Sequence, residues 1–256
     1  MNLDQVILRM KEIVLEVGKY QLELHRSNKF KIDKKSTQTD LVTEVDKESE
    51  RMILEKIREY YPLHNILTEE SGAFEKHSDY TWIIDPLDGT NNYASGLPIF
   101  GISIALAYKD KSIAGVVYLP YLDDLYEAYK GNGAFCNGVR IHCGKTEDLI
   151  ESIVATGFPY DKHINNENNL DSVNNIVPKI RGIRRLGSAA YDICLVAHGV
   201  YDAYWELGIQ KWDMAAGQII LEESGGIVEI LEHKRPISLI AGNAKIIDSL
   251  KNEILK

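Results

Sequence analysis

The sequence predicts a layered α/β protein, with a largely antiparallel sheet in its N-terminal part and a smaller α/β layer in its C-terminal part. Three observations predict it. Apolar residues at helical spacing open the chain, strand-like runs joined by tight turns occupy its middle, and strand-like and helix-like segments alternate toward its end. With 256 residues, 45% hydrophobic and 26% charged, the chain can bury a substantial core. The expectation is one unit over 1–256, its N-terminal layer covering about 1–145 and its C-terminal layer about 146–256.

Val6, Met10, Ile13, Val14, Val17, Tyr20 and Leu24 repeat at helical spacing, and Val45, Met52, Ile53 and Ile57 suggest a second helix. Both are expected to cover a sheet. Between them, Lys29 to Thr39 is polar, rich in lysine and aperiodic, and reads as a mobile loop. Trp82-Ile83-Ile84 reads as a buried strand that Pro86 should stop. Pro98 to Leu106 and Ile113 to Leu119 flank a Lys109-Asp110-Lys111 turn, which is a hairpin pattern. Tyr126 to Tyr129 and Ala134 to Cys136 flank Gly131-Asn132-Gly133 in the same way. Downstream come strand-like Ile153 to Ala155, helix-like Asn174 to Ile180, strand-like Gly182 to Leu186 and a helix opened by Ser188. Asn165 to Asn169 reads as a polar surface loop.

Composition narrows the function classes. A formal charge of −9, from 29 basic and 38 acidic residues, argues against a nonspecific grip on nucleic acid. An acidic protein can still bind a phosphate when cations lie between, because bound cations are the largest local charges in such a site. Cys136, Cys143 and Cys194 are odd in number and lack C-x-x-C spacing, so neither a disulfide framework nor a zinc site is indicated. No secretory signal is visible and no apolar stretch approaches the roughly 20 residues needed to span a bilayer. The expected location is the cytoplasm, with no membrane partner.

The chemistry concentrates in Asp85-Pro86-Leu87-Asp88-Gly89-Thr90, where two carboxylates stand three positions apart at the end of an apolar run. Such an oxygen-rich pair suits Mg²⁺, which takes one or two carboxylates, keeps waters and completes its shell with substrate phosphate. Thr90 adds a hydroxyl and a possible helix start that would aim backbone N–H groups at an anion. Asp, Pro and Gly are equally the ingredients of a β-turn, so the motif needs context. Glu69-Glu70 follows the apolar pair Ile66-Leu67, and Trp212-Asp213-Met214-Ala215-Ala216-Gly217 supplies a third acidic site. Asp213 could equally be a first-turn acid favoured by the helix dipole. Thr43 and Asp46 fit a capping box, which would explain both without chemistry.

These segments, with Asp40-Leu41-Val42-Thr43-Glu44-Val45-Asp46, stand in the order of the inositol monophosphatase family, which the chain resembles along nearly its whole length. The resemblance implies an αβαβα sandwich and a Mg²⁺-dependent, lithium-sensitive phosphatase acting on a small-molecule phosphate monoester as a homodimer. Two or three Mg²⁺ ions are implied. Glu69, Asp85 and the Leu87 carbonyl would hold the first; Asp85, Asp88 and Asp213 would hold the second. Thr90, backed by Asp46, and Glu69 would position a water for in-line attack. Backbone N–H groups near Gly89 and Thr90 would take phosphate oxygens.

The resemblance also places Gly187-Ser188-Ala189 against the polyol and Glu206 on a substrate hydroxyl. By their residue types alone, Ser188 is an ordinary N-cap and Glu206 a charged strand end. A loop in the family closes over the metals, which makes Lys34, Lys35 and Ser36 secondary candidates. Asn91-Asn92-Tyr93 resembles the inositol monophosphatase branch more than the nucleotide 3′-phosphatase branch, which implies inositol monophosphate, with fructose 1,6-bisphosphate or 3′-phosphoadenosine 5′-phosphate as the alternatives. A metal-binding regulatory protein on the same fold is the non-enzyme alternative.

Overall fold

A computed structural model describes residues 1–27, 30–34, 41–232, 235 and 237–255. Helix α1 (Leu3–Ser27) buries Val6, Met10, Ile13, Val14 and Val17 along one stripe, as the spacing predicts. Strands β1 (Ile32–Lys34) and β2 (Leu41–Thr43) pair antiparallel ahead of α2 (Glu44–Tyr60). The segment expected to be a mobile loop thus contributes a short strand, which pairing with β2 stabilises where periodicity gives no signal. Asp40, Lys35 and Ser36 lie outside the described residues, as does the Lys34 side chain. Thr43 caps α2 with Asp46 completing the capping box.

The first sheet has eight strands, all from before residue 145. They are β3 (Asn65–Thr68), β4 (Gly72–Phe74), β5 (Tyr80–Asp88), β6 (Gly101–Tyr108), β7 (Lys111–Leu119), β8 (Asp124–Tyr129), β9 (Gly133–Cys136) and β10 (Val139–Ile141). Their order is β10-β9-β8-β7-β6-β5-β3-β4, and every pair is antiparallel except β3 with β5. Both predicted hairpins are present. Residues alternate faces with period two: Trp82 and Ile84 join the cluster under α1 and α2, while Ile83 joins the one on the opposite face.

Pro86 does not stop β5, contrary to the sequence expectation. The ladder with β6 breaks after the Asp85–Ser103 pair and resumes at Asp88–Gly101, so the proline sits in a bulge. A bulge bends the strand and re-aims side chains. Here it presents two carboxylates and turns into α3 (Thr90–Ala94) through Gly89, whose φ is +87°.

The second sheet begins with β11 (Ile153–Thr156) and adds β12 (Gly182–Arg184), β13 (Ala203–Leu207), β14 (Ile227–Ile230) and β15 (Ser238–Gly242), in the order β12-β11-β13-β15-β14. Helix α4 (Leu170–Ile176) starts before the predicted Asn174 and yields to a short 3₁₀ turn at 177–179, where Pro178 lacks the N–H a longer helix needs. Helices α5 (Ala189–Ala197) and α6 (Lys211–Glu223) lie between the two sheets, and α4 with α7 (Ala244–Ile254) covers the outer face of the second. The layers are therefore helices α1 and α2, the eight-stranded sheet, α5 and α6, the five-stranded sheet, and α4 with α7. That is the αβαβα sandwich expected.

Helix α6 sits close to its neighbours because its first turns carry small residues. A Cβ on Gly115 of β7 would lie 2.7 Å from Ile219 Cγ2 and 2.9 Å from Ala216 Cα, and one on Gly217 would lie 2.9 Å from Ile193 Cγ2 of α5. Ser103 of β6 donates to the Trp212 carbonyl at 3.3 Å and ties the start of α6 to the sheet. Among the described residues no helix is long and apolar enough to cross a membrane.

Candidate active site

Strand β5 ends on its bulge at a cleft of about 550 Å³, whose lining includes Glu69, Asp85, Leu87, Asp88, Gly89, Thr90 and Asp213 together with Gly187, Ser188, Ala189 and Glu206. Of the predicted metal, catalytic and substrate residues, all of them among the described residues, only Asp46 is not a lining residue; it stands behind Thr90. Its Oδ1 accepts the Thr90 hydroxyl at 2.8 Å, while its Oδ2 accepts the Thr43 N–H at 2.7 Å and the Thr43 hydroxyl at 2.6 Å. The helix cap and the link to Thr90 are therefore the same carboxylate. Burial pushes the Asp46 carboxyl above its usual range, opposed by the bonds from Thr43 and Thr90.

The Thr90 hydroxyl also lies 3.0 Å from the Leu87 carbonyl. It has one proton, and the charged, nearer Asp46 is the better acceptor. That leaves the Leu87 carbonyl open toward the cleft.

Asp88 is held by the start of α5. Its Oδ2 accepts the Ser188 hydroxyl at 2.6 Å and the Ala190 N–H at 2.9 Å, and its Oδ1 accepts the Ala189 N–H at 3.2 Å. Ser188 is the N-cap residue, yet its side chain makes no capping bond to its own helix and serves Asp88 instead. Despite these donors, burial drives the Asp88 carboxyl up to about 6. Asp85 is pushed well above the carboxylate range by burial, then by the charges of Glu69, Asp88 and Asp213. Asp213 rises for the same reason, burial first and then Glu69 and Asp88. Asp213 also accepts the Gln210 N–H at 2.9 Å, so its first-turn role and its place in the cleft coexist.

The donor set fits Mg²⁺. All donors are hard oxygens, and they repel one another: after burial, the charges of Glu69, Asp88 and Asp213 push the Asp85 carboxyl up, a repulsion that a cation among them would offset. Among the described residues no three acidic, His or Cys side chains form a closed coordination group. Mg²⁺ keeps several waters and takes substrate oxygen, so carboxylates that line one cleft without closing on a single point still offer it ligands.

Several supporting residues carried no reading from sequence. Glu50, on α2 one turn after Asp46, accepts the Thr68 hydroxyl at 2.6 Å, the Glu70 N–H at 3.0 Å, the Ser71 N–H at 3.3 Å and the Ser71 hydroxyl, fixing the turn that carries Glu69. The signal was its place, with Asp46, Ile53 and Ile57, on the buried face of the helix. Gln21 of α1 donates to the Pro86 carbonyl at 2.7 Å and steadies the bulge. Asn92 donates to the Ile99 and Leu186 carbonyls at 2.9 and 2.8 Å, fastening α3 to the strand that leads into Gly187. Asn169, expected on the surface, is buried: it donates to Thr156 and the Gly157 carbonyl at 2.8 and 2.7 Å and accepts the Trp205 indole N–H at 2.7 Å. Its neighbours are polar, so nothing in the sequence distinguished it.

Glu206 reaches the cleft from β13. Its Oε2 accepts the Tyr204 hydroxyl, and burial raises its carboxyl while Tyr204 and Arg185 oppose the rise. Its carboxyl lies where a Cβ on Gly157 would stand, so a side chain at 157 would have to displace it.

Five layers and an acidic cleft at a strand bulge define a phosphatase-type α/β protein. The family model of the inositol monophosphatases matches residues 2–254, and the chain belongs to that family. It is 46% identical over 195 residues to Nus factor SuhB of Pasteurella multocida (strain Pm70), covering 76% of this chain and 73% of that one. It is 41% identical over 210 residues to the fructose-1,6-bisphosphatase/inositol-1-monophosphatase of Aquifex aeolicus (strain VF5), covering 82% and 80%. The solved inositol monophosphatase from Anabaena (Nostoc) sp. PCC 7120 superposes with a TM-score of 0.88 at 35% identity, over 100% of this chain and 97% of that one.

Proposed function

We propose that this protein is a Mg²⁺-dependent phosphatase that hydrolyses inositol monophosphate to inositol and phosphate, as one catalytic unit over 1–256. The observation that carries the proposal is the Asp46–Thr90 hydrogen bond at 2.8 Å beside the Asp85–Asp88 bulge, which sets a hydroxyl at the edge of a carboxylate cluster. Glu69, Asp85 and the Leu87 carbonyl would hold one ion, and Asp85, Asp88 and Asp213 a second. Bound there, Mg²⁺ offsets phosphoryl charge and lowers the pKa of a water.

The rest of the chemistry belongs to the chain. With its proton given to Asp46, the Thr90 oxygen accepts from the attacking water and, with Glu69, aims it. Ser188 and the first N–H groups of α5 keep Asp88 from swinging. Gly89 and Thr90 bring main chain to the phosphate oxygens; α3 is only five residues long, so local N–H groups rather than a helix dipole do this. Glu206 accepts a hydroxyl of the alcohol. A cytoplasmic homodimer belongs to the same reading.

Phosphate release from inositol 1-phosphate, fructose 1,6-bisphosphate and 3′-phosphoadenosine 5′-phosphate, each with Mg²⁺ and with chelator, tests the proposal. Chelator-sensitive release, fastest from inositol 1-phosphate, supports it. No release from folded protein would shift the reading to a regulatory protein on this fold, which the name of the Pasteurella relative favours.

A further inference from the structure

The bulge in β5 is held from outside its sheet by one side chain of α1. Gln21 is fully buried, and its Nε2 donates to the Pro86 carbonyl at 2.7 Å and to the Ser49 hydroxyl of α2 at 3.0 Å. Its Oε1 has no hydrogen-bond partner among the described residues. The Pro86 carbonyl can only accept, so turning the amide round would set two oxygens against each other. An orphaned buried acceptor is costly, so this side chain gives up stability to keep its donor on Pro86. The main-chain carbonyl of Gln21 accepts the Tyr93 hydroxyl of α3 at 2.7 Å, which fixes the turn of α1 that carries it.

Gln21 grips one end of a peptide unit whose other end touches a candidate metal ligand. The Pro86 carbonyl and the Leu87 N–H belong to the same trans peptide and point in opposite directions. The Leu87 N–H donates to Asp85 Oδ1 at 3.0 Å. A single line of hydrogen bonds therefore runs from Ser49 and Gln21 through the Pro86–Leu87 peptide to the Asp85 carboxylate. We propose that Gln21 is a positioning residue for the metal cluster, aiming Asp85 by fixing the plane of the Pro86–Leu87 peptide. The inference rests on the phosphatase reading above and deepens it. The proline ring fixes its own φ, so ψ of Pro86 and φ of Leu87, the two bonds that flank this peptide, are the freedom left for the plane to turn. Donation from Gln21 removes that freedom, and by polarising the peptide it strengthens the N–H at the far end. Without it the plane turns, the Leu87 N–H leaves Asp85, and the carboxylate loses its orientation. Groups that orient metal ligands in this way account for about 10–100-fold in metal affinity.

The test titrates the full chain with Mn²⁺, whose EPR signal is lost on binding, in the absence of substrate. It compares the wild type with Gln21→Met, Gln21→Leu and Ser49→Ala, with thermal melting in chelator as the check on folding. The two apolar variants fill the space without a donor and also remove the orphaned Oε1, so they should melt close to the wild type. Their Mn²⁺ dissociation constant should rise about tenfold or more. Ser49→Ala keeps the Pro86 contact and should bind Mn²⁺ as the wild type does. Phosphate release from inositol 1-phosphate should show the same shift in half-saturating Mg²⁺ for the Gln21 variants, with kcat restored at saturating Mg²⁺, a split that a general loss of packing would not give. An unchanged Mn²⁺ constant in both Gln21 variants would overturn the inference. So would an equal loss in Ser49→Ala, which would place the effect in the contact between α1 and α2, or unfolding of both Gln21 variants, which would make the residue structural. A wild type that binds no Mn²⁺ fails the parent proposal instead, and that failure is visible before any variant is made.

Discussion

Glu206 and Gly157 share one volume: the carboxyl of the first fills the space the second leaves by having no side chain. Gly157→Ala should therefore push Glu206 aside while the fold survives, because the obstructing group is the end of a flexible side chain. A lost hydrogen bond to a charged acceptor costs about 1.5–3 kcal/mol, so KM for inositol 1-phosphate should rise roughly tenfold or more. A KM unchanged in the variant would remove Glu206 from the substrate contacts.

Asp46 has two duties that mutation can separate. Thr43→Ala deletes the cap but leaves the Asp46–Thr90 bond, and should cost about 1 kcal/mol of stability with kcat within a few-fold of wild type. Asp46→Asn puts an amide where Oδ2 now accepts two donors or disturbs the bond to Thr90, and should lower kcat on the order of a hundredfold, the scale of a misplaced catalytic group. Urea melts and steady-state rates on the two variants separate the duties; equal kcat values would refute the second.

Glu50 should matter to metal binding without touching metal. Glu50→Gln replaces an acceptor of four donors by an amide and leaves the turn after β3 loosely held, so half-saturation in Mg²⁺ should move to higher concentration. The reading is a Mg²⁺ titration of activity, with an unchanged midpoint counting against the idea.

Chelated protein should lose stability as pH rises. Asp88, Asp85 and Asp213 all have carboxyls raised above the unfolded value of about 3.9. A raised carboxyl contributes stability that is complete below the unfolded value and lost as pH climbs through the folded one, about 6 for Asp88. In chelator, Tm should therefore fall between pH 5 and 7.5. Mg²⁺ should lift Tm by more at pH 7.5 than at pH 5, because it favours the ionised cluster. Equal Mg²⁺ shifts at the two pH values would show that these carboxylates are not its ligands.

What the sequence made legible follows from which physics is local. Helical stripes such as Val6 to Val17, paired strands around Lys109–Lys111, and the acidic motifs are set by residues close in the chain, and each is where its pattern indicates. Pro86 was misread because its cost to the ladder is relieved by a bulge, which depends on β6 and on the Gln21 side chain from α1. Asn169 and Glu50 are hubs only because the fold brings their donors and acceptors from distant segments. The Gly187 to Ala189 turn reads as a helix start, and only the fold reveals that it grips Asp88.

The close seat of α6 on Gly115 and Gly217 has a chemical consequence. Asp213 rides on that helix, whereas Asp85 and Asp88 ride on the sheet, so the gap between the carboxylates is a calliper whose jaws are set by methyl-sized contacts in the core. A single added methyl at Gly115, some distance from any substrate, would open those jaws. It should register as weaker cation affinity before it registers as instability, which makes the interior packing of this protein part of its ion chemistry.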